Sequence, residues 1–198
     1  MKQQRIEELR AHYRRALLED VVPFWLRRSL DVECGGYLHC LDRTGAVYDT
    51  DKAIWLQGRA VWMFSKLYNT VEPRPEWLAA ARLGYDFLRA GRPLRKCRHF
   101  FSETCAIIAF AEYAIAAGDP QASERARAVY RMIVDLQRTP GRLEPKVRPD
   151  TRPMKSHAVP MIMLATTQQL RQFGDGPLYT NVVDTALDGI LNHLTQPA

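Results

Sequence analysis

Trp55, Arg59 and Trp62 fall at i, i+4 and i+7 of a strongly apolar stretch, so a helix there carries an arginine between two tryptophans on one face. A cation in that setting is costly to bury unless it has a partner or a task. The task that suits it is holding negative charge on oxygen, because the planar guanidinium fork contacts two oxygens at once. The alternative is structural: the stem packs on tryptophan and the head pairs with an acid such as Glu103. Glu103 opens a second apolar stretch, where a carboxylate also suits a helix N-terminus. Histidines are the other natural proton carriers near neutral pH, and the chain has five. His99 precedes the Glu103 stretch, in a loop. His157, beside Lys155 in PMKSHAVPM, reads as a core histidine, and His12, His39 and His193 as surface or packing residues. None of the five is assigned as a catalytic base.

Other chemistries find little support. There is no Gly-rich phosphate loop, and no cofactor is expected. Cys34, Cys40, Cys97 and Cys105 form no CxxC pair and have no histidine at metal-ligand spacing, so no metal site is expected. Free thiols in a reducing cytoplasm are the simplest account of them. The formal net charge of +6 comes from scattered basic residues, the densest run being Arg92 to Arg98. No basic stripe interleaves with aromatics, so the expectation is a solvated face and not nucleic-acid binding. The polar start, Met1 to Arg10, lacks the apolar core of a signal peptide, and no run is long enough to span a bilayer.

The elements that must position these residues are helical. At 198 residues, 46% hydrophobic and 25% charged, the chain suits a single globular domain, residues 1–198. Apolar spacing predicts a first helix over about 4–29, kinked or split at Pro23. A loop from Asp31 to Thr50 follows, with Gly35-Gly36 and two short alternating stretches, Tyr37 to Leu41 and Ala46 to Tyr48, that suit a small hairpin. Further helices are expected over about 51–70 with Asp51 in the cap region, 75–90, 102–117 with Ser102 as cap, 120–138, 153–173 and 178–194. The helix from Glu103 to Ala117 reads as apolar nearly all round, hence enclosed, whereas 120–138 is amphipathic. About seven helices that alternate in this way suit two-layer packing, inner helices covered by outer ones.

Three ordered segments carry a family resemblance. GGYLHCLDRTGAVYDTDKAIWLQGRAVWMFSKLYN (Gly35 to Asn69) resembles the hallmark segment of the N-acylglucosamine 2-epimerase family. RPLRKCRHFFSETCAIIAFAEY (Arg92 to Tyr113) and RPMKSHAVPMIMLATTQQL (Arg152 to Leu170) resemble its next two inner-helix segments. The resemblance implies an all-α fold, part of an (α/α)6 barrel with a short β-hairpin in a loop. Two departures stand out. The connection between Leu88 and Arg92 is shorter than the hairpin-bearing one usual in the family. The chain also matches only the N-terminal half of the barrel, so the family's catalytic histidines, which lie in later helices, have no counterpart here.

The implied activity is epimerisation of a sugar at C2, between N-acetylglucosamine and N-acetylmannosamine or a related pair. That chemistry removes the proton beside a C1 carbonyl and returns it to the opposite face, through an enediolate whose charge needs a fixed cation. The resemblance places the family's active-site arginine at Arg59. Trp55 is then either a stacking platform for sugar or a core tryptophan, and Glu103 and His99 (where relatives are expected to carry an aromatic hydroxyl, and where the alternative is a surface loop histidine) are candidate sugar contacts. Two rival expectations remain open. The chain is an inactive half-barrel that binds sugar or a partner, by homodimerisation or association through its uncovered apolar surface. Or it is a glycoside hydrolase on the same fold, disfavoured because Glu103 has no evident carboxylate partner.

Overall fold

The computed structural model describes residues 2–90, 100–139, 141–142, 151 and 156–195. The first rod consists of α1 (Lys2–Arg15), a π-helical segment (Ala16–Val21) and α2 (Val22–Arg28). The irregularity precedes Pro23 and does not sit on it. Pro23 lies in the first turn of α2, where its missing N–H costs least, and the wider π turns absorb the interruption upstream. Antiparallel β1 (Cys40–Leu41) and β2 (Val47–Asp49) form the expected small hairpin. Its turn is built by Asp42, whose Oδ1 accepts the Thr44 N–H and hydroxyl and the Ala46 N–H.

The remaining helices are α3 (Ile54–Thr70), α4 (Pro75–Ala90), α5 (Phe101–Ala117), α6 (Pro120–Arg138), α7 (Ala158–Leu170, extended by a 3-10 turn, Arg171–Phe173) and α8 (Pro177–Thr195). Counting α1 and α2 as one broken rod gives seven. The shortened connection before Arg92 and the predicted start of α7 at Pro153 fall on residues outside those described. Two expected caps are absent. Asp51 is exposed and α3 begins three residues later, after Ala53, whose N–H is taken by the His39 ring. Ser102 lies inside α5, with Phe100 at the cap position and no side-chain cap. Asp119 does cap α6, accepting the N–H groups of Gln121 and Ala122.

The helices form two rows. Inner α3 lies beside α5, in the most extensive contact of the molecule, and α5 lies beside α7. Outer α4, α6 and α8 each fold back on the inner helix before them. The alternation of enclosed and amphipathic segments is this layering. Burial follows it: Phe64, Ile107 and Leu170 of the inner row and Trp77, Tyr130 and Ile133 of the outer row are almost fully covered. Close approach of α3 and α5 requires Gly58, where a Cβ would lie 2.6 Å from the Cys105 carbonyl oxygen. Helix α5 is less uniformly apolar than its sequence suggests, because Glu112, 1% exposed, sits in its middle. Among the described residues no helix is long and apolar enough to cross a membrane.

Candidate functional site

The loop before α3 is fixed by its glycines and by one glutamine. Gly36 has φ +75°, and a Cβ there would meet Gln57 Oε1 at 2.5 Å and the Phe87 ring at 2.8 Å, so only glycine fits. Gln57 is fully buried and pairs with Tyr37 as a strand neighbour would: Tyr37 N–H donates to its Oε1 and its Nε2 donates to the Tyr37 carbonyl, both at 2.7 Å. The Tyr37 hydroxyl donates to the Ala80 carbonyl at 2.7 Å, and burial pushes its pKa far above the usual phenol value. Lys52 completes the lock, with Nζ 2.5 Å from Asp31 Oδ2 and 2.6 Å from the Gly35 carbonyl. The Cys34 N–H, followed by Lys52, holds the Asp31 carboxyl below its ordinary range. Gln57 is thus a scaffold residue of the loop, and it lines the same cavity as Arg59.

This loop closes one side of a cavity of about 510 Å3. Trp25 of α2 with Leu38 and His39 of the loop face Leu56, Arg59 and Met63 of α3 across it. The Arg59 guanidinium carbon stands 5.2 Å over the Trp55 ring, a cation–π contact. It also lies against the Cys105 thiol: burial raises the pKa of that thiol, and the neighbouring cation pulls it partly back. Arg59 as a residue is exposed, in keeping with a group available to a ligand.

The four sequence candidates are placed differently. Arg59 is in the cavity wall. Trp55 packs on it, is 42% exposed and does not line the cavity. Glu103 lies in the first turn of α5, outside the cavity lining, with a buried Oε2 that has no hydrogen-bond partner. Among the described residues no ion pair joins Arg59 to Glu103, so the structural alternative for Arg59 lacks its acid. His99 lies outside the described residues. His157, read as a core histidine, is exposed at the start of α7. Among the described residues no three His, Cys, Asp or Glu side chains are grouped to hold a metal.

Sequence reasoning missed Trp25 and His39 as wall residues. His39 Nε2 accepts the Ala53 N–H at 2.9 Å, so that nitrogen carries no proton, and partial burial lowers the pKa of the ring. A histidine held neutral in the fold binds a proton more readily when unfolded. Stability is therefore full above the unfolded value near 6.5 and falls as pH drops from there toward the lower folded value. We expect the thermal midpoint to decline between pH 7 and pH 5, and a His39→Gln variant, which keeps an acceptor but cannot titrate, to decline less. Equal slopes for both proteins would show that His39 is not the group responsible.

Comparison with known proteins follows the same lines. The family model described as N-acylglucosamine 2-epimerase (GlcNAc 2-epimerase) matches residues 36–171. The chain is 37% identical to N-acylglucosamine 2-epimerase from Bos taurus over 77% of this chain and 41% of that protein. It is 34% identical to the Homo sapiens N-acylglucosamine 2-epimerase over 89% and 47%. A cellobiose 2-epimerase from Ruminococcus albus matches at 26% over 63% and 36%. Among solved structures, cellobiose 2-epimerase from Bacillus thermoamylovorans superposes with TM-score 0.81 at 18% identity, over 92% of this chain and 55% of that one. The Spirochaeta thermophila cellobiose 2-epimerase gives 0.79 at 20%, over 97% and 55%. The fold is therefore a partial (α/α)6 barrel, and the chain spans about half the length of the curated relatives it matches. The three resembling segments, Gly35 to Asn69, Arg92 to Tyr113 and Arg152 to Leu170, fall within the matched span apart from Gly35 itself, and the chain belongs to the N-acylglucosamine 2-epimerase family.

Proposed function

We propose that this chain supplies the arginine-bearing wall of a sugar 2-epimerase site, corresponding to the N-terminal half of the barrel, and that Arg59 stabilises the enediolate oxygens. One observation carries the reading: Arg59 reaches a sugar-sized cavity without an acidic partner among the described residues. Deprotonation at C2 leaves negative charge on O1 and O2, two oxygens that a guanidinium fork can hold together. Proton transfer needs acid/base groups on both sugar faces. His39 is the one histidine in the described cavity wall, and its Nε2 already accepts a backbone N–H. The two proton carriers are therefore assigned to the part of the ring that the relatives carry and this chain does not match. Trp55, beside Arg59 and exposed, remains the proposed stacking platform; Glu103, with its unpartnered oxygen, and His99 remain proposed sugar contacts. The higher identity to N-acylglucosamine 2-epimerases than to cellobiose 2-epimerases favours an N-acyl hexosamine as substrate. Free Cys34, Cys40 and Cys105 suit the reducing cytoplasm.

A second reading has its own observation. The exposed apolar side chains include several at the two ends of the helix series, Ile6, Tyr13 and Leu17 on the first rod and Met161, Leu187 and Leu191 on α7 and α8. A half-barrel that associates through those ends, with a copy of itself or another chain, would bind sugar without turning it over. Incubation of a protein that carries this chain within the whole ring with N-acetylmannosamine in D2O separates the two. Epimerase function gives loss of the C2 proton signal as deuterium enters; its persistence, with the protein folded, leaves the inactive half-barrel.

A further inference from the structure

Trp62 stands in the cavity wall one turn beyond Arg59, and its indole is tied through one amide to the most buried charged side chain among the described residues, Glu112. The Trp62 Nε1–H donates to Gln169 Oε1 of α7 at 3.4 Å. The other end of that amide, Gln169 Nε2, donates to Glu112 Oε2 of α5. Glu112 Oε1 accepts Asn69 Nδ2 at 2.8 Å and faces Lys66 Nζ at 3.5 Å, both from α3. A carboxylate 1% exposed thus joins all three inner helices.

The chemistry of the groups fixes a direction. A carboxylate only accepts and an indole N–H only donates, whereas a carboxamide has one end of each kind. With its NH2 end held by Glu112, Gln169 must turn its carbonyl to Trp62. A neutral group at position 112 would remove that preference, because a second amide can offer either end.

We propose that Glu112 is a positioning residue: through the oriented Gln169 amide it sets the Trp62 ring in the cavity wall beside Arg59, and so shapes the wall for its sugar. The role rests on the sugar-site reading for its occupant, but the relay itself is read without any sugar. A clamp that merely held three helices together would not depend on which end of Gln169 faces which partner.

The test follows the Trp62 indole N–H in 15N-labelled chain, its signal assigned by loss in Trp62→Phe. Glu112→Gln should shift that signal and reduce its protection from solvent exchange roughly tenfold, the scale of one net hydrogen bond. The exchange of partners in Glu112→Gln/Gln169→Glu should restore it, since a carboxylate carried by α7 accepts both from the Trp62 indole and from an amide carried by α5. An unaltered signal in the single variant, or a folded double variant that fails to recover, overturns the proposal. Should Glu112→Gln not fold, Glu112→Asp keeps the charge but draws the carboxylate back from the Gln169 amide, and must give the same loss. Titration with N-acetylglucosamine then separates the two levels. A wild-type chain that does not bind sinks the sugar-site reading and leaves the relay standing. Equal binding by wild type and by a variant whose indole bond is lost overturns the positioning role.

Discussion

Arg59→Ala lowers the rate of C2 hydrogen exchange by roughly 10²–10³-fold in a protein that carries the whole ring, with the fold unchanged. The size follows from the charge being stabilised: loss of one preorganised donor at a developing oxyanion costs on that scale. The fold should not register the change, because Arg59 is exposed, and its described contacts are a cation–π stack on Trp55 and the Cys105 thiol. An exposed cation–π contact contributes about 0.5–1 kcal/mol. Arg59→Lys should recover only part of the rate, since an ammonium keeps the charge but not the two-pronged geometry. Exchange measured by NMR in D2O, with thermal midpoints recorded in parallel, reads both effects. A near-normal rate in Arg59→Ala removes Arg59 from the chemistry. A collapsed midpoint returns it to the structural role in which its stem and head are packing groups.

The helices were legible because their apolar spacing records which face each turns inward, and the alternation of enclosed α5 with amphipathic α6 records the two rows. Helix starts were less legible where the cap comes from far away. The N–H before α3 is satisfied by His39, fourteen residues upstream, and no local pattern announces that. The Gly35-Gly36-Tyr37 run could be seen, but not its reason. The atoms that exclude a side chain at Gly36 belong to Gln57 and Phe87, brought there by the return of two helices. Spacing placed Arg59 on a face with Trp55 and Trp62. It could not tell that Trp55 stacks on the arginine while Trp62 turns to α7, because one helix face spans a wide arc and the neighbours divide it. Sequence reasoning passed over Glu112 inside an apolar helix, because its meaning lies in Asn69 and Gln169 on two other helices.

Gly58→Ala should destabilise the fold, although general helix preferences point the other way. In a helix interior alanine is favoured over glycine by about 1 kcal/mol. Against this stands the close approach at Gly58: an added Cβ would lie 2.6 Å from the Cys105 carbonyl oxygen and 2.7 Å from its carbon. Those atoms belong to the α5 backbone, so no side-chain rotation relieves the contact, and Cys105→Ala would not rescue it. The helices must part along the most extensive contact in the molecule. Overpacking of this kind costs about 1–3 kcal/mol, and more where backbone must move, so the steric term outweighs the propensity gain. For a chain of this length a net loss of about 1 kcal/mol lowers the thermal midpoint by about 2–4 °C. The loss reaches the site as well, because Arg59 is the next residue and moves with α3. A displacement near 1 Å at a group that holds reacting oxygens costs roughly 10²-fold in rate. Thermal unfolding of Gly58→Ala beside Gly118→Ala makes the comparison direct. The Gly118 position has open space around a φ of +62°, so its substitution strains the backbone without crowding a neighbour. If Gly58→Ala matches or exceeds wild-type stability, α3 and α5 are not packed as closely as described, and the placement of Arg59 against the Cys105 thiol loses its support.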